Sequence, residues 1–395
     1  MLICQECEST DVVKNGIKHG VQTYRCNDCN SYKQPIDTEV ETKSAELAKR
    51  VQRFQDTNRI ERKTFREQGR LSNALEEYEK ELISLLKTHQ FSTTKKQKPT
   101  KELSAAVLHI SDWHLNELVD LPNNRYDFGV ASKRVQKYVN IARKVFKTFN
   151  VTNVLVAMTG DMINSDRRLD ELLNQATNRS QATFLAVDLI QSALLDLNKD
   201  FILKVACVSG NESRVNKDHA WSHNIMTDNY DFTIFNILKK LFEGTDITFL
   251  DGNPVEMVVR VGNKNVLLIH GEQKILGGTV ERGVAQLCGK YVTQGIMIDF
   301  VLFGHLHCAR IGDYFARASS LVGANSYSDS GLQLISKASQ NIHIMTQNSD
   351  IHSIKIDLQN TDGYEGYEFN KELEAYNAKS ASKLHANKTI FEVII

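Results

Sequence analysis

Five short apolar runs in this chain each end on residues able to ligate a metal ion. Val107-Leu108-His109-Ile110-Ser111 runs into Asp112-Trp113-His114, and Val154 to Thr159 into Gly160-Asp161. Leu203 to Ser209 runs into Gly210-Asn211-Glu212, Val266 to Ile269 into His270-Gly271, and Phe300 to Phe303 into Gly304-His305-Leu306-His307. An apolar run rich in β-formers that stops on such residues is how a buried strand delivers ligands to its C-terminal end. One Asp-x-His carries little information; the recurrence carries the signal. Mixed imidazole, carboxylate and carboxamide donors suit Mn, Fe or Zn better than a cage built of oxygens alone.

A second group of potential ligands stands at the N-terminus. Cys4-x2-Cys7 and Cys26-x2-Cys29 are separated by 18 residues, the spacing of a four-cysteine zinc ribbon. Two tight knuckles supply the thiolates, and Val12-Val13 and Val21 to Tyr24 read as the hairpin between them. So small a module has too little core to fold without its metal. The other three cysteines, Cys207, Cys288 and Cys308, are scattered, which points to reduced thiols and an intracellular, cytoplasmic protein.

The elements that must position these residues follow an α/β order. Each of the first three ligand runs is followed by a loop and a helical pattern: Val135, Val139, Ala142 and Phe146; then Phe184, Val187, Ile190 and Leu194; then Phe232 to Phe242. Strands dominate afterwards, with Gly262-Asn263 as a hairpin turn, a helix over Val280 to Tyr291, and strands at Ile342 to Met345 and Ile351 to Ile356. The pattern predicts two sheets packed face to face and flanked by helices, with the ligands converging at strand ends. Four segments result: a zinc ribbon over 1–36, a helical arm and polar linker over 37–98, a catalytic domain over 99–370 and a tail over 371–395. In the arm, Thr38-x-x-Glu41 is a capping box, and Leu47, Val51 and Phe54, then Leu71, Leu75, Tyr78, Leu82 and Leu85, recur at helical spacing. Arg59, Arg62, Arg66 and Arg70 share one face, which tracks phosphates or, with Glu61 and Glu67 interleaved, is merely solvated. The arm, or the apolar Ile390 to Ile395, offers a contact for a homo-oligomer.

Composition excludes some classes. Formal net charge is zero, so nucleic-acid binding must use local patches rather than a global field. No window of about 18 apolar residues marks a membrane span, and no signal peptide is expected.

The set Asp112-x-His114, Gly160-Asp161, Gly210-Asn211, His270-Gly271 and Gly304-His305-x-His307 resembles the calcineurin-like metallophosphoesterase superfamily over about 260 residues, all five motifs standing in family order. The resemblance implies the two-sheet metallophosphoesterase sandwich and two divalent metals, Mn foremost, with Mg, Fe or Zn as substitutes. Asp112, His114 and His307 would hold the first metal, Asn211, His270 and His305 the second, and Asp161 would bridge them. A hydroxide generated between the metals would attack phosphorus in line. Within the superfamily the likeness leans towards SbcD-like DNA repair exonucleases of phage type, with Ser111 to His114 and the turn-rich Arg317 to Tyr327 compatible with that branch. That reading predicts a DNA nuclease, in a host cytoplasm if phage-encoded. Lys14 to Cys26 is similar to zinc ribbons at the N-termini of some transposases, which implies nucleic-acid contact, although such ribbons also dock proteins.

One departure matters. Nucleases of the family usually carry a histidine after the metal-binding asparagine, as general acid; this chain has Glu212. Glu212 could serve as the acid, His219 or His223 could replace it, or the enzyme could be weak on ordinary diesters. The last option favours a phosphatase or phosphodiesterase on nucleotides or phosphoproteins. A DNA-binding scaffold with a degenerate site is the third reading, against which all seven ligands stand intact. Arg214 is read either as a phosphate clamp or as a surface ion-pair partner.

Overall fold

The alternation of side chains along the strands builds the larger part of this chain in layers. A computed structural model describes residues 2–37, 46–56, 59, 104–216, 221–273, 279–325, 328 and 336–368. They fall into two units, 1–90 and 91–395.

In the first unit, β1 (Leu2–Ile3) pairs with β4 (Ile36–Asp37), and between them β2 (Val12–Lys18) and β3 (Val21–Cys26) form the expected hairpin. A helix, α1, spans residues 46–56. Its stripe of Leu47, Val51 and Phe54 is exposed. The capping box, the second apolar register, Arg62, Arg66 and Arg70 lie outside the described residues, as does the tail from 371 onward; Arg59 is helical.

The second unit opens with β5 (Ser104–Ile110), a small hairpin of β6 (Val119–Leu121) and β7 (Asn124–Tyr126), and α2 (Phe128–Thr148), whose first turn is capped by the Asp127 side chain on Val130 N–H. Then come β8 (Val151–Met158), α3 (Leu169–Leu173), α4 (Arg179–Asn198), β9 (Ile202–Cys207), α5 (His223–Thr227), α6 (Tyr230–Leu241) and β10 (Thr248–Phe249). The second half holds β11 (Glu256–Val261), β12 (Lys264–Ile269), α7 (Val280–Val292), β13 (Phe300–Phe303), β14 (Arg310–Ile311), β15 (Phe315–Arg317), β16 (Ser339–Met345) and β17 (Ile351–Asp357).

One sheet runs in the order β10-β9-β8-β5-β16-β17, the other β11-β12-β13-β15-β14. Odd residues of β5 and β8 (Ala105, Val107, Leu155, Ala157) meet Val266, Leu268, Phe300 and Leu302 of the second sheet. Even residues (Leu108, Ile110, Val154, Val156) pack on α2, α4 and α6. Leu267, Ile269, Val301 and Phe303 face α7 on the far side. Both faces of each central strand are therefore covered, which is why these strands read as unbroken apolar runs. The result is an α/β sandwich of two sheets flanked by helices. β5, β8 and β9 run parallel to one another, as do β12 and β13, so their C-terminal ends open on a common edge.

Candidate metal centre

The loops leaving these strand ends are laced together by their own backbones. Asp112 N–H donates to the Gly160 carbonyl (3.0 Å) and His114 N–H to the Asp161 carbonyl (3.1 Å). Leu321 N–H and Ser320 Oγ both donate to the Asp112 carbonyl, at 2.9 and 3.0 Å. The buried Gln340 carboxamide accepts from Ser111 N–H (2.9 Å) and donates to the Ser111 and Ser319 carbonyls. This lacing holds an unusual backbone. Asp112, His114, Asp161, His305 and His307 all have positive φ, between 44° and 71°. A left-handed L-residue costs about 1–2 kcal/mol, and such residues persist where the surroundings over-determine them. The glycines of the motifs answer to space: a Cβ on Gly304 would overlap the Asp112 carboxylate, and one on Gly160 would meet Gly210 N at 2.5 Å.

Two groups of donors gather there, one of Asp112, His114 and His307, the other of Asp161, His270 and His305; within each, the ligand atoms lie within 4.8 Å of one another. In the first, His114 Nε2 is 3.0 Å from His307 Nε2, which is 3.5 Å from Asp112 Oδ1. In the second, Asn211 Oδ1 lies 2.9 Å from His270 Nε2 and 2.8 Å from His305 Nδ1. His270 Nδ1 stands 2.7 Å from the Thr159 carbonyl, to which it can only donate, so Nε2 is the nitrogen turned toward the centre. Nε2 stands beside Asn211 Oδ1 and, at 3.0 Å, the buried Asp161 Oδ2. Two oxygens and a ring nitrogen this close in a buried pocket need a cation among them, a proton on the ring or a metal ion in its place. The donor set therefore fits the divalent ions that the motifs imply.

The same crowding sets the charges. Burial alone would neutralise the His270 ring, but the Asp161 carboxylate pushes its pKa well above the usual histidine value. Asp161 in turn is held below the carboxylate range by His270, against its burial. Burial brings His114 and His305 down to about 4. His307 is raised by Asp112, which outweighs its burial.

A cleft of about 540 Å³ opens over these donors, lined by His114, Asp161, Asn211, Glu212, His305 and His307 among others. Glu212 N–H donates to Asp161 Oδ1 (2.7 Å), and Glu212 Oε1 accepts from Asn211 Nδ2 (3.3 Å). Its Oε2 is buried without a hydrogen-bond partner among the described residues. Burial, then the Asp161 and Glu171 charges, raise its pKa to about 7. Arg214 is not among the cleft residues; its Nε donates to the Asn216 carbonyl. His223 is exposed at the start of α5 and does not line the cleft, and His219 lies outside the described residues. The sequence pattern passed over Arg168 and Glu117, both cleft residues, and Asp231 beneath it. None of the three stands at the end of an apolar run, so no motif flagged them.

In the first unit, the Sγ atoms of Cys4, Cys7, Cys26 and Cys29 lie within 4.8 Å of one another, with Cys4–Cys29 at 3.5 Å and Cys7–Cys26 at 3.6 Å. A tetrahedral zinc with bonds of about 2.3 Å sets its sulfurs about 3.8 Å apart, so the four cysteines fit one zinc ion. Glu6 N–H, 3.5 Å from Cys4 Sγ, helps bring that thiol down to about 7. On the hairpin, Lys14 and Lys18 are exposed. No helix among the described residues is long and apolar enough to cross a membrane.

No protein-family model and no curated protein matches this chain. Solved structures do. Vps29 of Entamoeba histolytica, complexed with zinc, is 16% identical, over 64% of this chain and 99% of that one, with a TM-score of 0.28. The calcineurin-like phosphoesterase YfkN of Bacillus subtilis is 9% identical, over 71% and 97%, with a TM-score of 0.30. A 5'-nucleotidase of Candida albicans is 10% identical, over 74% and 60%, with a TM-score of 0.34. At these identities and scores the likeness assigns neither a family nor a substrate.

Proposed function

We propose that this chain is a dinuclear-metal phosphoesterase of the calcineurin-like type, and that its substrate is the phosphodiester backbone of DNA, with Mn as the activating ion. The observation that carries the reading is the convergence of ligand atoms: His270 Nε2, Asn211 Oδ1 and Asp161 Oδ2 gather beside a second group of Asp112, His114 and His307. Bound divalent ions supply Lewis acidity toward phosphoryl oxygens and an acidified water.

The chain's own residues do the rest. The Thr159 carbonyl fixes the His270 ring, and Glu212 and Ser213 N–H hold Asp161 Oδ1, so that the Asp161 carboxylate would offer its other oxygen to the metals. Glu212, tethered to Asn211, holds a proton at Oε2 and passes it to the departing alkoxide. DNA as substrate is supported by the resemblance to SbcD-like nucleases and by the four-cysteine hairpin with its exposed lysines. The hairpin and α1 would hold nucleic acid or a second copy of the chain. Glu212 in the place of a histidine favours a second reading, a phosphatase or phosphodiesterase on nucleotides or phosphoproteins, whose leaving groups need less help from an acid.

Purified protein with Mn, Mg or chelator, given linear, circular and single-stranded DNA beside bis-p-nitrophenyl phosphate, decides between them. Metal-dependent DNA cleavage that disappears in Asp161→Ala and His270→Ala is the expected result. Turnover of the small ester with every DNA left intact would transfer the assignment to the second reading, and no turnover of any ester would end both.

A further inference from the structure

Of the arginines among the described residues that line the cleft, Arg168 and Arg317, only Arg317 is buried. Arg317 ends β15, in register with Phe303 of β13, the strand whose following loop carries His305 and His307. It is 9% exposed and lines the cleft together with His114, Asp161, His305 and His307. Its Nε donates to the Cys308 carbonyl (2.7 Å), and its own carbonyl accepts from the buried Asn341 Nδ2 (2.9 Å), so both ends of the residue are fixed. Among the described residues no carboxylate pairs with it directly, the Asp112 charge reaching it only at longer range. Its cross-strand neighbour Arg310 is occupied by Glu281 at 2.6 Å.

Of the other arginines nearby, only Arg168 lines the cleft; Arg167 and Arg179 do not. Arg168 pairs with Glu171 (2.7 Å) and is about half exposed. Arg167 donates to Ser165 Oγ and the Asn211 carbonyl, and Arg179 to the Glu212 and Arg214 carbonyls. A buried guanidinium that lines a cleft and has no carboxylate paired with it among the described residues gains from an anionic ligand that supplies the charge. Guanidinium also matches two oxygens of a phosphate at once, which an ammonium does not.

We propose that Arg317 binds a phosphate group of the substrate in this cleft, its plane set by the Cys308 carbonyl and its outer nitrogens directed to phosphate oxygens. The proposal rests on the phosphoesterase reading for the identity of the ligand. The phosphate is either the reacting one or its neighbour along a DNA strand, and substrates with one or many phosphates separate the two.

The test is calorimetric binding of inorganic phosphate to the Mn-loaded full chain, wild type against Arg317→Gln, Arg317→Lys and Arg317→Ala, with metal content and melting temperature measured on each. Expected is a weakening of phosphate binding by roughly 10- to 100-fold in Arg317→Gln, the worth of a charge-assisted pair of hydrogen bonds, with metal content unchanged. Arg317→Lys should recover part of the loss, and added guanidinium should restore Arg317→Ala. Equal phosphate binding in all four proteins, or none in the wild type, overturns the assignment. Arg317→Lys decides the matter if the neutral variants do not fold. KM values then place the phosphate: a rise on bis-p-nitrophenyl phosphate marks the reacting group, and a rise on DNA alone its neighbour. Arg317-dependent phosphate binding without turnover of any ester would keep this site and discard the hydrolase.

Discussion

Glu212 stands where the nuclease reading proposed above expects a histidine, and its surroundings make that difference testable. Its backbone is tied to Asp161, one carboxylate oxygen to Asn211, and the other is buried without a partner among the described residues. A glutamine there keeps the shape and the tether and has no proton to give. On DNA, whose alkoxide leaving group needs protonation, Glu212→Gln should lower kcat by about 100-fold or more. On bis-p-nitrophenyl phosphate, whose phenolate leaves unaided, the loss should stay within about threefold. Equal losses on both substrates would reduce Glu212 to a support for Asn211. The identities of the converging residues were legible from the chain, because each stands at the end of an apolar run. Their left-handed backbones were not. Nothing in Asp-x-His or Gly-His-x-His announces that Asp112, His114, His305 and His307 all have positive φ; that follows from loops lacing to one another across long sequence separations.

At the scale of elements, the loops after β8 and β9 are joined by a residue that carries no motif. Asp231, in the first turn of α6, is fully buried. Its carboxylate accepts from Asp161 N–H, Met162 N–H and Gly210 N–H, each at 2.9 Å. Asn229, the cap of α6, holds the Asp231 N–H and donates to the Gly210 carbonyl. Asp231→Ala should destabilise the fold by several kcal/mol, at roughly 1–3 kcal/mol for each orphaned donor, as read from urea unfolding. Asp231→Asn keeps one acceptor oxygen and should fold, with metal affinity lowered about 10- to 100-fold in a calorimetric titration, the range seen when supports behind metal ligands are removed. Wild-type metal affinity in Asp231→Asn would show that α6 braces the loops without tuning the centre. The central strands and the helices over them were legible because their periodicity is strong. The hairpin of β6 and β7 and the pair β14 and β15 were not, since strands of two or three residues containing Asp, Asn and Arg have no periodicity to read. Arg317, whose carbonyl meets Asn341, was legible only as part of a turn-rich run.

At the scale of the whole larger unit, the sandwich carries two histidines in its interior that bear on how it withstands acid. His109 on β5 and His343 on β16 are fully buried, with ring centres 5.9 Å apart. His109 Nε2 meets Thr159 Oγ1 at 2.9 Å, and His343 Nδ1 meets Ser353 Oγ at 2.7 Å; the other nitrogen of each ring has no hydrogen-bond partner among the described residues. The Phe300 ring lies against His343, at 5.4 Å between centres. Burial brings His109 down to about 3, with Asp112 opposing weakly, and takes His343 well below the usual histidine value, helped by repulsion from His109. Above about pH 6.5 both rings are neutral in the folded and unfolded chain alike, and they add no pH dependence. Below that value the unfolded chain takes up protons that the folded chain refuses, so stability is lost progressively as pH falls toward the depressed folded values. The slope is about 1.4 kcal/mol per pH unit for each histidine. In excess chelator, the loss of unfolding free energy between pH 7.5 and 5 should therefore shrink by about 2 kcal/mol in His343→Leu, the slope taken over about 1.5 units. The metal-centre histidines titrate in both proteins and cancel in that difference. An unchanged loss in His343→Leu would mean that the interior admits water or a proton at His343, and that the acid sensitivity of the unit resides in the metal centre alone.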